Sequence, residues 1–437
     1  MNLVKQGRAG VYEEGHIEFC RKQQQGEDIA MKKLLCTGLL MLLTFGVFSM
    51  SADCQTWKPG PKPKVLTNTN WQVETSPYVA QQHWNSVLNK KEGLNIRVVP
   101  LGASLARHAA VRDGSADFAL NDGSPLFYFF GLNEAADMNW GPQPLRRIIT
   151  GIEEPAQCLM LTSDPKNIKT PADIRGKRVG SNEGTATYNY TTMAYLATGG
   201  VYKEDVKIVN YPSFGAMVDG FLRKEIDVMY TANPAPPSVK IEASPIGAHA
   251  IPLPSPNDKE AINKLRKHDP FGFTWISMYA KKGNGILPNG TKVGPDNPVP
   301  SISYVFPTIT MYDKGDKNKA YWIIKLLSEN FNEFMKDAPI QGMITCSIGL
   351  KEQFRPNVPN TLPWHEGAIE YLKEVGVWTA EMEKTNNLWL QREKIVHELW
   401  KEEVSKAKKE GVSGSAFSKR WETKIRKMIN DEKWFTT

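Results

Sequence analysis

Residues 95–120 read NIRVVPLGASLARHAAVRDGSADFAL. Asn95–Pro100 is a short β-branched run ending on proline, the pattern of a buried strand. Gly102-Ala103-Ser104 turns the chain, Leu105–Arg112 has helical spacing and stops at Gly114, and Asp117–Leu120 (DFAL) is strand-like again. Strand, helix, strand in that order is a parallel crossover unit. Upstream, Val65–Thr69 is strand-like and Ser76–Asn89 has helix content ending near Gly93. The β-α-β-α-β order predicts an open, mainly parallel sheet with helices on both faces.

The pattern repeats downstream. Strand-like segments are Cys158–Thr162, Lys177–Gly180, Val206–Tyr211 and Asp227–Tyr230. Between them lie a helical turn at Thr170–Asp173 and helices at Thr187–Ala197 and Phe214–Leu222. A Gly-, Pro-, Asn- and Lys-rich loop after Tyr279 runs to Pro300; Ile302–Thr310 then reads as a strand and Asn318–Lys336 as one long amphipathic helix. The expected organisation is a first lobe from 53–152 and 300–377, a second lobe from 153–299, and a helical tail over 378–437. The hinge is expected at Gly151–Gln157, with the return crossing between Phe273 and Tyr304. In the tail, Gly411-Val412-Ser413-Gly414 separates two helices, and Trp389, Trp400, Trp421 and Trp434 are the expected packing anchors.

The chain has 437 residues and a net charge of +7, with its basic residues spread out rather than gathered into a patch. That distribution argues against nucleic-acid binding. Met31 starts a secretory signal pattern: Lys32 and Lys33, an apolar run Leu34–Phe48, then Ser49-Met50-Ser51-Ala52. The run is short for a span of about 20 residues, so export is expected rather than anchoring. Residues 1–30 read as an upstream extension, and Asp53 before Cys54 disfavours a lipid anchor. Cys158 and Cys346 have two readings, a disulfide in an oxidising compartment or two buried free thiols. No metal spacing, cofactor motif, G-x-S-x-G elbow, H-E-x-x-H or phosphate loop occurs, so no cofactor, metal or catalytic residue is expected. His365-Glu366 looks like a catalytic pair on paper but sits in a segment that reads as a turn.

Several ordered segments resemble the TAXI family, the solute receptors of one class of TRAP transporters. Gly102–Leu120 resembles its Gly-Ser turn, helix and G-x-A-D-h-A-L strand. Leu145-Arg146-Arg147-Ile148 resembles its L-R-x-I strand, and Ile168–Gly180 (IKTPADIRGKRVG) its I-x-x-x-x-D-L-x-G-K-x-V segment. Gly184-Thr185-Ala186-Thr187 stands where the family has G-S-G-T. Asp205–Phe214 with Asp219–Ala232 resembles V-x-Y-L-S-F…D-G-x-I-D-A-x-F-x-T-A, and Pro363–Tyr371 (PWHEGAIEY) resembles H-P-G-A-x-x-Y-Y. The set spans roughly residues 65–377. The chain departs from the family in its first loop, where Asn68–Tyr78 reads NTNWQVETSPY without the family's glycines, and in its long tail.

The resemblance implies a type II periplasmic-binding-protein-like α/β fold: two lobes, a hinge and a cleft between them, followed here by the helical extension. It implies a non-enzymatic periplasmic receptor that delivers a small organic acid or amino acid to a TRAP-type membrane permease; a monomer is expected. Receptors of ATP-driven importers, sensors and secreted enzymes share the fold and are the rival readings. Ligands of open α/β sheets sit beyond the carboxyl ends of the strands. The candidate contacts are therefore Trp71, Tyr78, Ser104, Asn121, Asp122, Gly184, Thr185, Ala186, Thr187, Thr231 and Asn233. Backbone N–H groups at the helix starts near Ser104 and Thr187 suit a carboxylate; equally, these two residues suit ordinary helix caps. Asn121 and Asp122 suit either ligand or a turn, and Trp71 and Tyr78 either a pocket wall, with room for an aromatic acid, or core. Arg107 reads as an exposed helix residue by default, and with Arg146 is the nearest candidate for a salt bridge to an anion.

Overall fold

The polar end of the first strand and the helix starts that follow the strands decide how this fold presents a site. In the computed structural model, the described residues are 57–73, 75–121, 124–150, 156–182, 185–233, 240–255, 257–271, 273–277, 286–287, 290–293, 297, 299–304, 308–336 and 362–429. They belong to one compact unit, Trp57–Thr437.

The elements that build the first sheet are β1 (Val65–Asn70), α1 (Ser76–Glu92), β2 (Asn95–Pro100), α2 (Ser104–Arg112), β3 (Phe118–Asn121), α3 (Ser124–Phe129) and β4 (Leu145–Thr150). The chain then forms a second sheet with β5 (Ala156–Thr162), β6 (Arg178–Asn182), α4 (Ala186–Thr198), β7 (Lys207–Tyr211), α5 (Phe214–Leu222), β8 (Val228–Asn233), β9 (His249–Ile251), α6 (Lys259–His268), β10 (Phe273–Ser277) and β11 (Val299–Tyr304). It returns to the first sheet with β12 (Thr308–Tyr312), α7 (Lys317–Glu329) and α8 (Phe331–Lys336). It ends in α9 (Glu366–Glu374), α10 (Ala380–Glu410) and α11 (Gly414–Ile429). We call the part built on each sheet a lobe.

The first sheet has the order β2-β1-β3-β12-β4. Its first three strands are parallel, and the returning β12 slots in antiparallel to both β3 and β4. The second sheet runs β10-β11-β5-β8-β6-β7, with β9 also on β5. Two α/β lobes with a strand that crosses back, plus a helical extension, form the type II arrangement expected above. The mainly parallel sheet is corrected to mixed sheets: β5 lies antiparallel to β8, β9 and β11.

Two further expectations change. Ile302–Thr310 is two strands. Val299–Tyr304 pairs with β10 and β5 of the second sheet, so the chain returns after Tyr304, not at residue 300. The helix expected over Asn318–Lys336 breaks at Asn330, whose Nδ2 donates to Leu326 O (3.0 Å) and to Glu92 Oε1 (3.2 Å), binding the break to α1. Residues 151–155 of the expected hinge, Cys346 and Trp434 lie outside the described residues, and the Cys158 side chain is likewise not described.

The first core joins Leu66, Trp84, Ile149, Ile324 and Tyr371 from the sheet, α1, α7 and α9. Here α9 crosses α7 at Gly367. A Cβ at Gly367 would stand 2.9 Å from both Ala320 Cβ and Tyr321 N and closer still to the Lys317 carbonyl oxygen. Backbone cannot yield as a flexible side chain does, so Gly367→Ala is expected to cost about 1–3 kcal/mol of unfolding free energy, measured by urea denaturation; an unchanged midpoint would contradict this packing. The second lobe has a core on each sheet face, one around Tyr195 and Ile251 and one around Phe221 and Met229.

The two tail helices are present. α10 is capped by the Thr379 hydroxyl, which accepts from Met382 N at 3.2 Å, and ends at Gly411 in the left-handed region (φ 70°). This is the stop expected of glycine at that position. Trp389 and Trp421 are buried, and Trp400 is partly buried against them.

Candidate functional site

β1 ends in alternating polar residues, and their partners shape the following loop. Asn70 Nδ2 donates to Pro77 O (3.2 Å) and Gln81 Oε1 (2.5 Å), while Asn70 Oδ1 accepts from Trp71 N (2.7 Å). Asn68 Nδ2 shares Gln81 Oε1 at 2.9 Å. All three polar side chains are buried. The net of charge-free hydrogen bonds pins the loop that precedes α1, and Trp71 packs into the first core rather than standing free. Tyr78, in the first turn of α1, is half-buried.

Arg107 lies against Trp71, its guanidinium carbon 4.4 Å from the indole centroid, a cation–π contact. This corrects the default of an exposed Arg107: it is 0% exposed. Nη1 donates to Leu101 O (2.9 Å) and Gly102 O (3.1 Å), and Nη2 to Ser104 Oγ (3.0 Å). The backbone of Arg107 accepts from Thr69 Oγ1 at 3.2 Å. A permanently charged fork is thereby held at the β2–α2 turn. Ser104 is the first residue of α2, after Ala103 at the cap position, so the cap reading of Ser104 is corrected: its hydroxyl serves Arg107. Likewise Thr185, not Thr187, precedes α4 at the cap position, without a side-chain cap hydrogen bond.

Thr185 is 2% exposed. Its Oγ1 accepts from Asn182 Nδ2 (3.0 Å) and donates to Gly102 O (3.5 Å), the same carbonyl that Arg107 reaches. Gly102 belongs to the first lobe and Thr185 to the second, so the turns that begin α2 and α4 meet. Gly102 also admits the Gln72 side chain, which a Cβ there would approach to 2.6 Å. Two helix starts and a guanidinium at one junction form a setting that favours an anion.

Asn121, at the end of β3, is buried; its Nδ2 donates to Thr310 Oγ1 (2.8 Å) and Ala119 O (3.3 Å). Its Oδ1 has no hydrogen-bond partner among the described residues. Thr231 is buried on β8, and Asn233 ends that strand opposite Gln157. The structure thus brings Ser104 and Thr185 together, with Trp71 joined to them through Arg107. It places Asn121, Thr231 and Tyr78 on their separate elements. Ala186 and Thr187 start α4, but their side chains, like that of Asn233, are not described; Asp122 and Gly184 fall outside the described residues.

Arg146 does not reach toward the junction. It pairs with Glu393 of α10 at 2.8 Å, which corrects its candidacy for an anion; burial raises the Glu393 pKa against the opposing pull of Arg146. His365 Nδ1 accepts from Gly367 N at 3.2 Å and caps α9, a structural role consistent with the turn reading. Among the described residues, no group of three or more His, Cys, Asp or Glu side chains is placed to hold a metal. None of the described helices is long and apolar enough to cross a membrane. Sequence reasoning missed Gln72, Asn182 and the inward turn of Arg107. Only the polar alternation Asn68-Thr69-Asn70 signalled a built strand end.

A family model, described as the NMT1-like family, matches residues 80–376, more than half of the chain. The chain belongs to the NMT1-like family. No curated protein matches this NMT1-like chain. Among solved structures, it is similar to a protein from Bordetella bronchiseptica RB50, with 13% identity over 83% of this chain and 98% of that one, at a TM-score of 0.40. It is also similar to the alkanesulfonate-binding protein SsuA from Xanthomonas axonopodis pv. citri, solved with MOPS, with 14% identity over 75% and 84% of the two chains and a TM-score of 0.39. A third is the periplasmic aliphatic sulphonate binding protein SsuA from Escherichia coli, with 18% identity, 43% of this chain, 56% of that chain and a TM-score of 0.33. The NMT1-like chain thus spans little more than half the length of that last protein.

Proposed function

We propose that this chain is an exported, extracytoplasmic receptor that captures a small organic anion, a carboxylate or an amino acid, and delivers it to a TRAP-type secondary transporter. The observation that carries the reading is the junction of the two lobes at Gly102 and Thr185, where two helix starts meet beside the buried Arg107 guanidinium. An anion seated at that junction would touch both lobes at once, so its binding energy would hold them closed; a ligand touching one lobe alone would not shift the balance. The receptor binds stoichiometrically and returns its ligand unchanged. Export rests on the Met31–Ala52 segment, and partner choice on the resemblance of the ordered motifs.

The test is a thermal-shift screen of the purified chain from residue 53 onward against amino acids, dicarboxylates, aromatic acids and sulfonates. A true ligand at a hundredfold excess over its Kd is expected to add about 2.7 kcal/mol. Thr185→Val is expected to weaken that ligand about tenfold, near the worth of one hydrogen bond. Absence of any shift across the anionic compounds would overturn the reading, and product formation would transfer it to an enzyme. Uptake in vesicles driven by a sodium gradient supports the TRAP-type partner; uptake driven by ATP alone assigns the receptor to an ATP-driven importer.

A further inference from the structure

The lobes meet at a second place, and there the C-terminal helix takes part. Phe271 of the second lobe stacks on Phe130 of the first, with centroids 5.5 Å apart and planes at 11°, and meets Phe127 edge-on at 4.8 Å. Phe127 also touches Tyr190 of α4 at 4.9 Å. Over this aromatic seam lies α11. Its Trp421 donates through Nε1 to the Gly131 carbonyl of the first lobe at 2.8 Å. The next residue, Glu422, accepts from the Asn133 N–H of the first lobe (3.1 Å) and from the Tyr190 hydroxyl of the second (3.5 Å). Arg426 donates to the His268 carbonyl at 3.1 Å and lies 5.1 Å from the Tyr190 ring centroid, both in the second lobe.

We propose that α11 is a clasp joining the two lobes, and that the hydrogen bonds of Glu422 and Arg426 bias the protein toward its closed form without touching the ligand. The direction of the bias follows from position. Phe127 lies in the short helix that follows β3, and Tyr190 in the first turns of α4, which follows β6. Both helices start at the carboxyl edges of their sheets, the edges that Gly102 and Thr185 bring together. Opening the lobes at those edges separates Asn133 from Tyr190, and Glu422 can then serve only one of them. A contact made in the closed form and lost in the open one shifts the population by its own free energy. The clasp holds whatever solute the junction takes, so it stands or falls apart from the function proposed above.

The experiment uses the ligand-free chain from residue 53 onward, with the double variant Glu422→Ala/Arg426→Ala. Its control is Lys424→Ala, which breaks the 2.8 Å pair with Glu403 between α11 and α10 and leaves both lobes' contacts in place. Hydrogen exchange of the α4 and α3 backbones is expected to quicken about tenfold in the double variant, equivalent to about 1.4 kcal/mol. Small-angle X-ray scattering is expected to give a larger radius of gyration for the double variant, with the control at the wild-type value in both measurements. Tyr190→Phe, which keeps the ring and loses the hydroxyl, is expected to fall between them. Exchange and scattering of the double variant equal to wild type would overturn the clasp. So would equal changes in the control, which would indicate general loosening of the tail.

Discussion

Replacing Trp421 by alanine is expected to lower the unfolding free energy by about 3–5 kcal/mol, the usual range for a buried tryptophan or phenylalanine. Trp421 is 0% exposed and among the largest side chains so enclosed. Its indole meets Trp400 edge-on at 4.9 Å and donates to Gly131 O, so truncation leaves both a cavity and an unserved carbonyl. The same core contains Phe127, Phe129, Phe130, Leu145 and Tyr312 of the first lobe. The tail is therefore part of the lobe's core rather than an appendage to it. Urea denaturation followed by tryptophan fluorescence and by far-UV circular dichroism should show one transition at a lower midpoint. A separate early transition, leaving the lobes at wild-type stability, would show the tail to be an independent unit.

Lowering the pH from 6 to 4 is expected to remove about 2.5 kcal/mol of stability through His108 alone. Both ring nitrogens of His108 are buried and find no hydrogen-bond partner among the described residues, and the ring sits 4.6 Å from that of Tyr128, edge-on. Burial, helped by the neighbouring Arg107 charge, pushes its pKa down to about 3 from 6.5. Between those values the unfolded chain binds a proton that the folded chain does not. Stability therefore rises with pH through this window and is lost as pH falls below about 6.5, at about 1.4 kcal/mol per pH unit, until the folded protein protonates near 3. His108→Phe removes that proton from both states. The variant's urea-derived stability should fall less steeply between pH 6 and pH 4 by the same slope, whatever constant offset the larger ring introduces. Parallel pH profiles for the two proteins would show that His108 finds a partner or water in solution. His365, pushed down to about 4 chiefly by burial, titrates in both proteins and cancels from the difference.

Much of both lobes was legible because their elements are local. Asn95–Pro100 matches β2 residue for residue, and α5 matches its expected bounds, since apolar periodicity and glycine stops act within a few residues. α3 was not legible: in SPLFYF every side chain is buried, so no polar face exists to mark a period. α6 and β10 lie in a stretch for which no element was expected, although α6 buries only Ala261 and Leu265 and so does present a polar face. The break at Asn330 depends on Glu92, 238 residues away, and no window of sequence contains both.

The candidate site divides along the same line. Sequence pattern alone determined which turns open toward the strands' carboxyl ends, and so that Ser104 and the segment Gly184–Thr187 stand near helix starts. It also determined, through the tryptophan spacing and the Gly411–Gly414 break, that two helices close the chain. Only the tertiary structure decided that Arg107 turns inward to the carbonyls of its own turn, that Arg146 is taken by Glu393, and that α11 touches both lobes. Local backbone preferences act between near neighbours and can be read one segment at a time. The direction of a long charged side chain is set by which carbonyls and carboxylates the folded chain brings within about 3 Å of it, and those partners are chosen by the packing of the whole.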